Sequence, residues 1–214
     1  MPTDPTVKPD LITRARQRFL SDTTNHQMTV LRDDGLYRHL RFQVPGDWAY
    51  RYDLITWPGF LAVTGDMGEY LFTRIDDMFS FFGAEQSINP DYWSEKLAGK
   101  GTSDQAHVFT VPAFQAVVLD WYRFYAEDLE PAEASALRAA IDNELLADDI
   151  APSNSHEGYQ LLDSFNYGEH HITDCWEYNM TEFDSRFLWC CWGIVAGIKQ
   201  YRENKLQPVE VQEA

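Results

Sequence analysis

The chain has little sulfur, little positive charge and no long apolar run, and each shortage excludes something. Three Cys in 214 residues, an odd number with Cys190 and Cys191 adjacent, do not make a disulfide framework and suit a reducing compartment. Seventeen Lys and Arg stand against 34 Asp and Glu, a net charge of −17. A chain of that sign does not take nucleic-acid phosphates as its main partner. The longest nearly apolar stretch, Phe187 to Ile198, is 12 residues, short of the roughly 18 that a membrane helix needs. The opening MPTDPTVKPD has no apolar signal core, so a cytosolic protein is expected. Apolar and aromatic side chains are plentiful: 44% of residues are hydrophobic, with seven Trp, 11 Tyr and 13 Phe. That is enough to build a core and to exclude intrinsic disorder despite the charge.

The charge is uneven. Residues 1–100 carry 14 acidic and 11 basic side chains, whereas residues 101–214 carry 20 and six. Between Asp104 and Asp184, 17 acids meet only Arg123 and Arg138. Charge of one sign at that density repels itself and destabilises a compact state, so it implies either a need for solubility or a partner of opposite sign.

Residues 1–10 read as a loose tail. Leu11, Ile12, Ala15 and Phe19 then have helical spacing. From Met28 to Phe72 the pattern alternates and is broken at Asp33-Asp34-Gly35, Pro45-Gly46-Asp47, Trp57-Pro58-Gly59 and Gly65-Asp66-Met67-Gly68. Four or five short strands in an antiparallel meander follow. Ile75, Met78, Phe79 and Phe82 return to helical spacing with Gly83 as the stop, and Asn89-Pro90 opens a second short helix. Residues 98–106 are the most loop-like interior segment. Beyond them, Pro112 and Pro131 begin helices marked by Phe114, Val117, Val118, Trp121 and Tyr125, and by Ala134, Leu137, Ile141 and Leu145. A shorter helix is expected from His156 to Phe165. Thr181 to Asp184 resembles a capping box for a long buried helix ending near Asn204. The expected fold is α+β, a single domain over 11–205 with a sheet-rich part, 11–100, and an acidic helical part, 101–205. A helical layer covers the sheet, with the last helix in the core and a flexible tail at 206–214.

Candidate chemistry is sparse. Glu169, His170, His171, Asp174 and Cys175 are the densest set of metal-ligand types, and His171 and Cys175 would share a face if helical. The Cys-x-x-Cys and His-x(3–5)-His spacings of structural zinc are missing, and Cys190 and Cys191 would point about 100° apart on a helix. No metal and no cofactor is expected. Cys175 has no local signature of a nucleophile, and Gly65 to Gly68 lacks a phosphate-loop pattern. Trp48, Tyr50, Tyr52, Trp57, Tyr92 and Trp93, with Arg32, Arg38, Arg41 and Arg51 among the strands, form the one region where nucleic acid could dock, although core packing is the simpler role for the rings.

Several blocks carry a family resemblance: Arg38-His39-Leu40-Arg41-Phe42, Tyr52 to Gly59, Thr64 to Gly68, Asp77 to Phe82, Ile88 to Leu97, and Phe187 to Cys190 with Trp192-Gly193-Ile194. Together they resemble a family of tailed-bacteriophage proteins of unknown function. The resemblance implies a phage origin and a role in the cytoplasm of the bacterial host, and it brings no catalytic residue. With the charge, it favours a binding protein over an enzyme. In this reading an acidic face made of Glu127, Asp128, Glu130, Glu133, Asp142, Glu144, Asp148 and Asp149 occupies a basic site on a host protein or nucleoprotein complex. An inhibitor of a defence system such as CRISPR would act in this way. Neither direct nucleic-acid binding nor a membrane is part of it, and self-association is compatible with it. The second reading is a small phage enzyme or sequestering protein acting on a nucleotide or signalling molecule near Asp66, Glu69, His170 and His171. A third is a virion component.

Overall fold

The computed structural model describes residues 10–83, 87–98 and 105–206. Asp104, most of the loop expected at 98–106 and nearly all of both tails lie outside the described residues. The chain divides into two compact units, one made of residues 1–106 with 183–214 and the other of residues 107–182.

The first unit begins with α1 (Leu11–Asp22), β1 (Gln27–Asp34), β2 (Tyr37–Gln43), β3 (Tyr52–Trp57), β4 (Phe60–Gly65) and β5 (Tyr70–Thr73), followed by α2 (Met78–Phe82) and α3 (Pro90–Ser94). The strands pair in sequence order as a five-stranded antiparallel meander. Gly59, at φ 84°, takes a backbone conformation in the β3–β4 turn that other residues rarely adopt. Register pairs Leu40 with Leu54 and Leu54 with Val63, Phe42 with Tyr52, and Leu61 with Phe72. All seven side chains are buried on one face. α2 starts later than its apolar spacing predicts because Asp77 caps it, accepting the Phe79 N–H at 3.1 Å.

The second unit contains β6 (His107–Phe109), α4 (Val111–Ala126), α5 (Pro131–Glu144), α6 (Ser155–Ser164), β7 (Asn166–Tyr167) and β8 (His170–His171). β9 (Thr181–Phe183) pairs with β6 where the chain leaves this segment, and α7 (Ser185–Leu206) follows. The capping box expected over Thr181–Asp184 is therefore corrected: strand pairing takes residues 181–183. Asp184 alone serves the helix start, its Oδ1 accepting the Arg186 N–H at 2.8 Å.

α7 belongs to the sheet unit, and every residue from Phe187 to Ile194 is buried. A helix apolar on all sides must be surrounded. The sheet covers one side, and α1 another, where the Trp189 indole donates to Asp22 at 3.1 Å and that of Trp192 to the Ile12 carbonyl at 3.3 Å. At Gly197 a Cβ would lie 2.6 Å from Leu54 Cδ1 and 2.9 Å from Phe42 Cζ, so glycine sets how closely α7 approaches the strands. Cys190 and Cys191 are free, buried core residues, as their setting between Trp189 and Trp192 predicts. Among the described residues no helix is long and apolar enough to cross a membrane.

Candidate functional site

The acidic segment folds around a core of its own. Phe114, Val118 and Trp121 of α4 meet Leu137 and Ile141 of α5, Leu145 beyond it, Leu162 of α6, and Phe165, Ile172, Cys175 and Met180. The Tyr122 hydroxyl donates to the Ala134 carbonyl at 3.2 Å and ties α4 to α5. α6 is fixed at its start by a reciprocal cap, with the Glu157 N–H donated to Asn154 and the Ser153 N–H to Glu157. Burying the Leu137–Ile141–Leu145 stripe turns the opposite side of α5 to water.

All eight carboxylates expected to form the face are exposed: Glu127, Asp128, Glu130, Glu133, Asp142, Glu144, Asp148 and Asp149. Asp142 pairs with Arg138 at 2.9 Å, and Glu133 lies 3.8 Å from His170. For the other six, no ion pair is found among the described residues. The whole unit carries 15 acidic side chains against Arg123 and Arg138, a net of −13.

Placement along the helices sharpens the point. A helix C-terminus carries partial negative charge and favours cations by about 0.3–1 kcal/mol each. Here Glu127 is the residue at the C-terminal cap of α4, Asp128 follows it, and Asp142 and Glu144 lie in the last turn of α5, where there is no basic residue. Glu130, at the N-terminal cap of α5, and Glu133, in its first turn, sit where the dipole welcomes an anion. At these ends Glu127, Asp128 and Glu144 meet the helix dipoles unfavourably, whereas Asp142 is offset by its pair with Arg138.

Two large rings also lie open to water in this unit, Phe124 at 72% exposure and Trp176 at 68%. Sequence spacing did not single them out. Phe124 falls one step off the buried stripe of α4, and Trp176 lies in a short 3₁₀ turn, Cys175–Glu177, that has no periodic signal.

The proposed ligand types at 169–175 do not converge. His170 and His171 are consecutive strand residues, paired with Tyr167 and Asn166, so their side chains point to opposite faces. The helical spacing of His171 and Cys175 does not exist, because β8 ends before the 3₁₀ turn begins. Cys175 is buried, its thiol donating to the Ile172 carbonyl at 3.4 Å, and burial pushes its pKa up. Among the described residues no group of three or more His, Cys, Asp or Glu side chains is arranged to hold a metal ion. Asp66 and Glu69 serve their own turn: Asp66 accepts the Tyr50 N–H at 2.9 Å, and Glu69 faces the Thr64 hydroxyl at 3.4 Å. They belong to the sheet unit and His170 and His171 to the acidic one.

The arginines of the strand region are also accounted for. Arg38 points toward the helices, bound to Asp77 at 2.8 Å beneath the Phe79 ring. On the opposite face Asp53, only 5% exposed at its side chain, accepts from both Arg41 Nε and Nη2, at 3.0 and 2.8 Å, and lies 2.8 Å from His39 Nε2 and 3.8 Å from Arg51. Burial pushes the Asp53 pKa up, but the bonds from Arg41 and His39 outweigh it and hold the carboxyl below the usual range. Arg32 pairs with Asp34. Arg32 and Arg38 thus each have a carboxylate of their own, whereas Arg41 and Arg51 share Asp53 with His39. The rings there divide: Tyr52 and Trp93 are core, while Trp48 is exposed under the Arg51 guanidinium. No family model, no curated protein and no solved structure matches this chain.

Proposed function

We propose that residues 107–182 are the electrostatic docking module of a bacteriophage accessory protein, and that their carboxylates occupy a basic site on a host macromolecule in the bacterial cytoplasm. A host defence complex that grips nucleic acid, of the CRISPR kind, offers such a site, because spaced carboxylates reproduce the charge of a phosphate backbone. One observation carries the reading: six exposed carboxylates without a described counter-charge, on a separate unit of net −13. A basic partner would relieve their mutual repulsion as well as add attraction. The resemblance of the sequence blocks to tailed-phage proteins supports the phage and host part of the reading.

The test is affinity capture from infected cells, followed by kinetics with the captured partner. Association should slow markedly between about 50 and 300 mM salt, as the Debye length falls from roughly 14 to 6 Å, with a smaller change in dissociation. The combined variant Asp142→Lys, Glu144→Lys, Asp148→Lys and Asp149→Lys should fold and lose the partner. If it folds and associates at an undiminished rate, the acidic face is only solvated and the proposal fails.

A further inference from the structure

The acidic unit contains a cavity whose lining differs from the carboxylate surface around it. Val117, Asp120, Trp121 and Phe124 recur at i, i+3, i+4 and i+7 along α4 and so share a face. With Tyr125, and with Tyr178 from the segment after the 3₁₀ turn, they line a space of about 340 Å³. That is within the range of small-ligand sites, roughly 300–1,000 Å³. Four of the six lining residues are aromatic. Trp121 and Tyr125 lie 4.6 Å apart at 41°, and Phe124 and Tyr125 5.3 Å apart at 85°, so the rings form angled walls. Asp120 is the only charged residue of the lining.

Ring faces carry the negative end of an aromatic quadrupole and attract cations. A carboxylate at the rim and a surrounding unit of net −13 add to that field. An anion meets Asp120, the ring faces and the net −13 of the unit, with Arg123 the one cation beside the lining, and a neutral apolar ligand makes no use of Asp120. Guanidinium matches best, because it is planar, stacks on rings and offers paired donors to a carboxylate. The unit itself shows both contacts. Arg138 lies over the Tyr122 ring at 5.6 Å, and Arg123 donates to Asp120 at 2.6 Å. The second is an exposed pair with both side chains 70% accessible, of the kind worth at most about 1 kcal/mol, so an incoming arginine can displace it.

We propose that this aromatic pocket receives an arginine side chain of the basic partner, and that Phe124 is the exposed wall that closes on it. The proposal deepens the docking reading and rests on it: carboxylates draw the partner in, and the pocket chooses arginine over lysine. It is tested with the full chain, by calorimetric titration at 50 mM salt with an acetylated nine-residue peptide of alternating Gly and Arg and with its Lys counterpart. The arginine peptide should bind about fivefold or more tightly than the lysine peptide. Phe124→Ser, at an exposed position where substitution leaves the fold intact, should erase that preference while changing the affinity for the lysine peptide less than twofold. Asp120→Asn should weaken the arginine peptide. Equal affinities for the two peptides, a preference for lysine, or a preference that survives Phe124→Ser overturns the pocket. If binding is then lost in the four-lysine variant described above, the docking module stands without the pocket. If neither peptide binds, the pocket proposal falls, and the docking module is decided by the four-lysine variant with the captured partner.

Discussion

The acids at the helix ends make a prediction that separates stability from function. Asp128, just past the cap of α4, and Glu144, in the last turn of α5, are exposed, and no ion pair is found for either among the described residues. Replacing each by Lys turns an unfavourable interaction with the helix dipole into a favourable one. At about 0.3–1 kcal/mol per charge, and taking the low end because both sites are exposed, the swing is about 0.5 kcal/mol each and about 1 kcal/mol for the pair. Removing charge from a unit of net −13 acts in the same direction. For a unit of this size, 1 kcal/mol corresponds to about 4–8 °C in Tm. The assay is thermal unfolding of the Asp128→Lys, Glu144→Lys protein by circular dichroism at 20 and 500 mM salt, with hydrogen exchange of α4 and α5 to locate the gain. The double variant should be more stable at low salt, lose more than half of that gain at high salt, and bind the partner more weakly. A variant no more stable than the parent, or one whose gain is untouched by salt, would refute the argument that these acids are held against the fold's own preference.

Asp53→Asn leaves Arg41, His39 and Arg51 around a neutral amide and should destabilise the sheet unit by about 2–3 kcal/mol. Breaking a fully buried pair costs about 3–5 kcal/mol, and here Arg41 and His39 keep some access to water; a loss under 1 kcal/mol in urea unfolding would refute this. Lys205 and Tyr201 lower the pKa of Asp33, while burial raises those of Asp53 and Asp77 but is outweighed by Arg41 with His39 and by Arg38 respectively. Since all three pKa values are depressed on folding, the stability they contribute is complete above the unfolded value of about 3.9 and is lost as pH falls through the folded ones, so the urea midpoint should drop below about pH 4. An acid limb unchanged in Asp53→Asn would show that Asp53 takes no part. Burial raises the pKa of Cys190 and of Cys191. Both thiols should resist a bulky maleimide in native buffer and react in denaturant, and rapid native labelling would contradict the packing of α7.

Much of this architecture is legible along the chain because its causes are local. Alternation between turn residues marks the five strands, Asn89-Pro90 marks the start of α3, and the Leu137–Ile141–Leu145 stripe already places the eight carboxylates in water; Asp10, expected in a loose tail, instead caps α1 by accepting the Thr13 N–H. The run of acids from Asp104 to Asp184 even brackets the second unit, residues 107–182, closely. What tertiary structure alone decided is which surface buries which. α7 follows the acidic helices in sequence, yet its stretch from Phe187 to Ile194 is buried on every side, packed against the strands, α1 and α2 from far earlier in the chain. The inward turn of Arg38 and the gathering of Arg41, Arg51 and His39 on Asp53 depend on strand register, which pairs Arg41 with Asp53 across β2 and β3. The aromatic pocket likewise needs Tyr178 brought to α4 by a 3₁₀ turn without periodicity. Local pattern dictates which face of an element is apolar; the partner that covers it is set by contacts between residues distant in sequence, which no window along the chain contains.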